Sequence, residues 1–378
     1  MKLEGETTGL IGRKTTSRSV MVALVCLVLF LILTRLASQL EEFKSFPVGV
    51  MDTECELTVV TGGIKRAGRA RRMLADAERA LRDVEVQMSS HLSSSEVSVL
   101  NASPVGQLLE LSEETIKLLK LSRSLTEATN GAFDVTCKPI IDAWVAAGKH
   151  GKCPTDDELA QATAAAGWQS IELLDGGARK LTEGAAVDLG GIAKGYAIDQ
   201  AVEALINEGA LGGLVNVGGD VRCFGMRCVA GKWLVAIQNP FNESMLATIG
   251  LSDAAVCTSG NYRRFETIDG KRYSHIIDPR TSRPAEMTPS VTVVAPTATI
   301  ADAWATALSV LGTDGLALLP SDGSVHAIII VGTEEGYEMI VTAGIKPLWV
   351  EAPTVEVRQY SRVTTTGPAE SALVPKEQ

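Results

Sequence analysis

Aromatic side chains make up only 4% of this 378-residue chain, and histidine occurs four times. With so few large rings, the core volume must come from Val, Leu, Ile and Ala. The 35 glycines imply many turns and close backbone approaches. No Cys or His spacing amounts to a zinc site. No internal repeat is evident. The glycine-rich stretch Gly190-Gly191-Ile192-Ala193-Lys194-Gly195 matches neither GxGxxG nor GxxxxGK[ST], which argues against a Rossmann dinucleotide fold and against a P-loop ATPase. Positive charge is also short. The net charge of −10 argues against non-specific binding to anionic lipid and gives no nucleic-acid partner.

What the chain does have is 46% hydrophobic residues, enough for one large domain or two tightly joined ones. Its first 40 residues carry +3, leaving −13 on the remainder. An anionic ligand must therefore be held by local donors or a metal. Val20 to Leu33 is an unbroken apolar run of 14, preceded by Arg13, Lys14 and Arg18. Basic residues followed by an apolar run make an export signal with a cytoplasmic N-terminus. Fourteen residues are short of the roughly 20 a span needs, but snorkelling by Arg35 extends the segment through Ala37. No clean small-x-small cleavage site follows. The expected organisation is a basic N-terminus over 1–19, a single-pass inner-membrane anchor or uncleaved signal over 20–37 and a connector over 38–49. A domain over 50–350 on the periplasmic or extracellular side and a flexible tail over 351–378 complete it. Export permits disulfides; Cys223 with Cys228 and Cys137 with Cys153 are possible pairs, and spacing alone assigns neither.

Periodicity predicts a strand over 54–60 and an amphipathic helix over 64–88 with a stripe of Ala67, Leu74, Ala77, Leu81 and Val84. The seven basic residues of that helix are interspersed with Asp76, Glu78, Asp83 and Glu85, the pattern of a solvated face. Further helices are expected over 113–129, capped by Ser112, and over 156–166, 192–208 and 300–311. Strands are expected over 214–217, 233–237, 290–294, 325–331 and 338–342. Helices interleaved with strands give an α+β or α/β layer arrangement. Free N–H groups at the helix start near Gly190, with Lys194 beside them, suit a phosphate. The plainer reading is glycine used for close helix packing.

Several ordered blocks then carry a specific resemblance. Val187-Asp188-Leu189-Gly190-Gly191-Ile192-Ala193-Lys194-Gly195-Tyr196-Ala197-Ile198-Asp199 resembles the signature of ApbE-type FAD:protein FMN transferases. Met51-Asp52-Thr53, Ser95-Glu96 through Asn101, and Asn130 through Thr136 match in order. So do Asn216-Val217-Gly218-Gly219-Asp220, Thr258-Ser259-Gly260, His275 through Arg280 and Ala301-Asp302-Ala303-Trp304-Ala305-Thr306. The resemblance covers roughly residues 50 to 345. It implies an α+β fold with mixed sheets, helices and a flavin-binding cleft. It also implies that FAD is bound as a substrate and that a threonine of a target protein, an exported or membrane redox subunit, attacks its pyrophosphate and releases AMP.

The resemblance further implies that Asp302 and Thr306 hold Mg2+, with a backbone carbonyl at Gly190 or Gly191 completing the protein ligands; we take Gly190 as the expected one. Spacing agrees, because residues four apart face the same way on a helix and hard Mg2+ prefers oxygen. The plainer reading makes Thr299 and Asp302 a capping box and bonds Thr306 back to its own helix. Lys194 is implied to offset charge on the pyrophosphate, or else it pairs with Asp188 or Asp199. His275 is implied to be the base beside the attacked phosphate, or a satisfied structural histidine. The implied flavin contacts are Met51, His91, Glu96, Lys194, Asn216, Gly218, Gly219, Asp220, Thr258, Ser259, Gly260, His275 and Asp278. Their plainer roles are core filling for Met51, a surface acid for Glu96, and turns for the glycine, Thr-Ser-Gly and Asp278 segments. Asp134 and Thr136 shape the scaffold or serve as turn residues.

The chain departs from the family pattern at three places. Asp52 stands where Met-Gly-Thr is common, His91 where a Tyr stacks on the flavin, and Ser282 where Pro-Arg-Thr-Gly ends. Three functions remain open at this stage. The first is Mg2+-dependent FMN transfer to threonine. The second is Mg2+-dependent hydrolysis of FAD to FMN and AMP. The third is a non-catalytic exported FAD-binding protein.

Overall fold

The computed structural model describes residues 20–30, 39–63, 65–227, 231–242, 244–260, 265–285 and 288–361. Its centre is a nine-stranded sheet whose spatial order follows chain order. The strands are Leu40–Ser45 (β1), Cys55–Gly62 (β2), Gly212–Val217 (β3), Asp220–Gly225 (β4), Ala254–Gly260 (β5), Ser290–Ala295 (β6), His326–Thr333 (β7), Gly336–Val341 (β8) and Val357–Gln359 (β9). Every neighbouring pair is antiparallel except β8 with β9. This is an α+β arrangement with mixed sheets and helices, as the sequence led us to expect.

Strand alternation shows why the central strands read as nearly continuous apolar runs. On β5, Ala255 and Cys257 join one core while Val256 joins the other. Val291 and Val293 of β6 likewise face away from Val294. Both faces are therefore covered. One face packs against the helices Arg66–Met88 (α1), Ala193–Asn207 (α6) and Ala298–Leu311 (α7), which also pack on one another. The other lies under a three-stranded sheet of Trp233–Gln238, Met245–Leu251 and Trp349–Glu351, with Trp233 and Ile249 filling the layer between.

The 149 or so residues between β2 and β3 carry α1 and α6, and between them Glu96–Ala102 (α2), Glu113–Ala128 (α3), Lys138–His150 (α4) and Asp156–Ala165 (α5). Their ends obey local rules. Ser112 accepts from Thr115 N at 3.3 Å, with Glu113 and Glu114 in the first turn of α3. Thr155 and Glu158 form a capping box on α5. Gly151 ends α4 in the left-handed region. The segment between β5 and β6 carries the hairpin Phe265–Ile268 with Lys271–Ser274, then the short pair Ile277–Asp278 with Arg283–Pro284. A third small core, built on Ile140, Trp144, Ile268 and Ile277, joins this segment to α4 and α5.

Several expectations are corrected. Residues 20–30 are helical and every one is exposed, but 11 residues extend only about 16 Å against a hydrocarbon core of about 30 Å. Among the described residues no helix is long and apolar enough to cross a membrane. That finding overturns the single-pass inner-membrane anchor over 20–37, and with it the membrane partner and the localisation drawn from that anchor. Residues 1–19 and 31–38, on which parts of that expectation fall, lie outside the described residues. The tail is not structureless from residue 351: Val357–Gln359 pairs with β8, and Arg358 reaches Glu338 at 3.1 Å. Residues 362–378 lie outside the description. Cys137 and Cys153 are free thiols, as is buried Cys223; Cys228 lies outside the described residues.

Candidate functional site

The site grows from the crossing of α6 and α7. Gly195, in the first turn of α6, meets α7 with no side chain between them: a Cβ there would lie 2.2 Å from the carbonyl oxygen of Ala298. This approach lets the Gly195 N–H donate to Asp302 Oδ2 at 2.9 Å. The plainer reading of the glycines thus holds at Gly195, and it serves the site. Four residues along α7 from Asp302, the Thr306 hydroxyl donates to the Gly191 carbonyl at 3.4 Å. The carbonyl that faces Thr306 is thus Gly191's, one residue beyond Gly190. Gly190 is exposed, and its N–H is bound to Asp188 Oδ1 at 2.7 Å.

Charge is concentrated in this crossing. Asp302 and Asp220 are 5% and 2% exposed, and the Lys194 ammonium pairs with Asp220 Oδ2. Asp220 Oδ1 accepts from Thr258 N at 2.8 Å, so both carboxylate oxygens are engaged. The partner of Lys194 is therefore neither Asp188 nor Asp199; β4 delivers Asp220 to it from the turn Gly218-Gly219. Burial pushes the Asp302 carboxyl up to about 7, with Asp220 and Asp199 adding repulsion while Lys194 and the Gly195 N–H oppose the rise. Burial works against the Lys194 ammonium, yet Asp220 and Asp302 outweigh it and hold its pKa above the ordinary lysine range. Cys257 lies in the same group, and burial pushes its thiol far above the usual value, which removes it as a nucleophile.

The capping box suggested for Thr299 and Asp302 does not form. Thr297 is the N-cap of α7 and accepts from Ile300 N at 3.4 Å. The Thr299 N–H and hydroxyl both go to Asp199 of α6, which leaves Asp302 free for the crossing. Among the described residues no group of three or more His, Cys, Asp or Glu side chains could hold a metal. The residues present nevertheless fit a hard cation. Asp302, Thr306 and the Gly191 carbonyl supply only oxygen, and a buried carboxylate with a raised pKa is one that a cation would relieve.

Neighbouring loops converge on this crossing through polar contacts between distant segments. Asn101 binds Val187 like a paired strand, accepting from its N–H at 2.7 Å and donating to its carbonyl at 2.8 Å. Asp188 N donates to Val135 O at 2.7 Å, joining the 130–136 block, and Asp188 Oδ2 accepts from Ser90 beside His91. His91 itself is exposed, its N–H on Ser89 Oγ at 3.1 Å. The turn at Met51 meets the turn at Gly218: Gly218 N donates to Glu54 O, and a Cβ on Gly218 would lie 2.6 Å from Thr53 Oγ1. Asn216 accepts from Gly219 N at 2.9 Å, and a Cβ on Gly219 would meet nothing within 4 Å, so this turn borders open space. Thr258, Ser259 and Gly260 run along β5, where Thr258 shares a hydroxyl contact of 2.9 Å with Thr292.

Three expected contacts have other engagements. Glu96 Oε2 accepts from the Ser112 N–H and hydroxyl, tying α2 to the start of α3. Met51 is half-buried, with its N–H on Glu85. Asp278 grips Arg280 through both oxygens, and these donors prevail over burial to hold its carboxyl below the usual range. His275 is exposed in the bend just before Ile277–Asp278. Sequence reasoning did not single out Asn101, Asp199 or Ser90 as site supports. The first two lie inside the matched blocks, which is the signal that pointed at them.

The departures at 52 and 282 now have a physical description. Asp52 has φ +51° and Ser282 φ +58°, the left-handed region that favours glycine. Asp tolerates that region better than most residues. Ser282 is buried, its hydroxyl 2.7 Å from Thr163 Oγ1 and its carbonyl accepting from Trp144 Nε1 at 3.0 Å.

Fold and site together define an α+β protein whose α6–α7 crossing gathers glycine turns, the Lys194–Asp220 ion pair and the oxygen groups of Asp302, Thr306 and Gly191. The ApbE family model matches residues 51–329. Curated relatives include the FAD:protein FMN transferase of Haemophilus influenzae, 33% identical over 285 residues, which are 72% of this chain and 82% of that protein. The Vibrio cholerae protein of the same name is 32% identical over 278 residues, 72% and 83% of the two chains. Among solved structures, the flavin transferase ApbE from Vibrio cholerae superposes with a TM-score of 0.71 at 28% identity, covering 82% of this chain and 99% of that one. The ApbE protein of Thermotoga maritima gives 0.72 at 30% identity over 82% and 100%. The chain belongs to the ApbE family and is an enzyme of its flavin-transferring type.

Proposed function

We propose that this chain transfers the FMN half of FAD to a threonine hydroxyl of a target protein and releases AMP, in a Mg2+-dependent reaction carried by residues 50–350. The observation that carries this reading is the α6–α7 crossing, where buried Asp302, Thr306 and the Gly191 carbonyl meet beside the Lys194–Asp220 pair. Asp302, Thr306 and Gly191 would hold the Mg2+. When bound there it supplies positive charge to the pyrophosphate and improves AMP as a leaving group.

The chain's own residues do the rest. His275 takes the proton from the attacking threonine Oγ, which forms the new bond to the FMN phosphorus as the P–O bond to AMP breaks. Lys194, kept protonated by Asp220 and Asp302, offsets charge gathering on the leaving phosphate. Asp220 acts by holding Lys194 and Thr258. The Asn216–Asp220 turn and Thr258, Ser259 and Gly260 offer small residues to the flavin and its phosphates. Met51, His91 and Glu96 border the nucleotide, with His91 exposed where an imidazole can stack. Asp278 fixes Arg280 and the loop that follows His275.

The test is to incubate the protein with FAD, Mg2+ and candidate acceptors carrying an accessible threonine. Acceptor mass should rise by one FMN with one AMP released per event, and Asp302→Ala should lose both. AMP with free FMN and no modified acceptor would replace transfer by hydrolysis. Bound FAD with neither product would leave only storage.

A further inference from the structure

We infer that Asp199 is a positioning residue: from α6 it sets the register of α7 and so places Asp302 and Thr306 for the cation. This inference rests on the Mg2+ reading above and goes beyond it, since Asp199 belongs to none of the groups placed around flavin or metal.

The geometry is unusual for a helix start. A helix leaves its first N–H groups without intrahelical partners, and the residue just before it normally satisfies one or two of them. Thr297 does so locally for Ile300 N. The first two N–H groups are instead taken by a side chain 99 and 100 positions away: Ala298 N donates to Asp199 Oδ1 at 2.8 Å and Thr299 N to Asp199 Oδ2 at 2.9 Å. The Thr299 hydroxyl also donates to Oδ2, and Arg222 Nη1 donates to Oδ1 at 2.9 Å. Four donors thus converge on one buried carboxylate, 7% exposed, at the positive end of the α7 dipole.

One turn earlier on α6 the bonding runs the other way, from Gly195 N to Asp302 Oδ2. The two helices are therefore locked at two points, Gly195 on Asp302 and Asp199 on the first turn of α7. Asp302 lies only three to four residues beyond the groups Asp199 holds, about 6 Å along the axis. A slip or rotation of that first turn carries Asp302 with it, and Thr306 one turn further. Side chains that orient a metal ligand without touching the metal typically contribute 10- to 100-fold in metal affinity.

The experiment uses the full chain without FAD. Mg2+ affinity is measured by calorimetry, or with Mn2+ by magnetic resonance, for wild type, Asp199→Asn, Thr299→Val and Asp302→Ala, each first melted to establish that it is folded at the working temperature. Asp199→Asn keeps the shape and an acceptor oxygen but presents an amide where donors converge. The expected result is metal affinity lowered on the order of 10-fold or more in Asp199→Asn and by a smaller factor in Thr299→Val. A purely structural role would lower the melting temperature and leave the affinity of the folded protein unchanged. That outcome in both variants, with Asp302→Ala losing the metal, overturns the positioning role alone. Wild-type affinity in Asp302→Ala overturns the cation reading, and the inference falls with it.

Discussion

Replacing Gly195 by alanine is the sharpest perturbation the structure offers, because two general rules predict opposite signs. In a helix interior alanine is favoured over glycine by about 1 kcal/mol, so Gly195→Ala should stabilise α6 if nothing else touched it. The tertiary structure says otherwise. The new methyl would sit 2.2 Å from the Ala298 carbonyl oxygen, 2.6 Å from its carbon and 2.8 Å from Asp302 Cβ. Two of these neighbours are main chain of α7 and cannot swing aside. Relief requires the helices to part by roughly 1 Å, and a clash this close to main chain belongs at the upper end of the about 1–3 kcal/mol that overpacking costs, which exceeds the propensity gain. The separation also pulls Asp302 from the Gly195 N–H at 2.9 Å. We expect a melting temperature lower by several degrees, at about 2–4 °C per kcal/mol for a large domain, together with weakened Mg2+ binding. Differential scanning calorimetry with a metal titration reads both. A melting temperature equal to or above wild type would show that the helices give way easily, and would refute the claim that this contact places Asp302.

Two further outcomes follow from the buried carboxylate and the left-handed turn. Because the Asp302 carboxyl is raised to about 7 in the fold and titrates near its ordinary value when unfolded, the folded state holds the extra proton between those pH values. Stability without metal should therefore fall as pH rises toward 7 and level off above it, whereas the rise in melting temperature on adding Mg2+ should be larger at pH 8 than at pH 6. An Mg2+ effect independent of pH, or one that survives Asp302→Asn, contradicts this. Asp52→Gly should raise stability by about 0.5–1 kcal/mol in denaturant melts, since glycine carries no strain at φ +51°; a loss of stability would mean that the Asp52 side chain supplies an interaction that outweighs the strain.

Local information was legible and non-local pairing was not. Of the expected stripe, Leu74, Ala77, Leu81 and Val84 are buried as periodicity requires while Ala67 is exposed, and Ser112 caps α3 because the cap and its recipient are three residues apart. The same reasoning failed at Thr299 and Asp302, whose spacing imitates a capping box. Asp199, 100 residues earlier in the chain, competes for Thr299, and Gly195 takes Asp302. Lys194 shows the same limit. Its expected partners were nearby in sequence, yet the sheet brings Asp220 to it. The apolar run at the N-terminus was the largest error, since a helix described over only 20–30 does not reach across a bilayer.

By itself the sequence determined the family, through ordered blocks whose residue types and spacing have no common local explanation, and the helix stripes and caps, which depend on neighbours three and four positions away. Tertiary structure alone decided which carbonyl faces Thr306, which carboxylate holds Lys194, and that a glycine is needed where two helices touch. The reason is physical: burial raises the stakes of every polar contact, and only the folded arrangement says which groups are buried together.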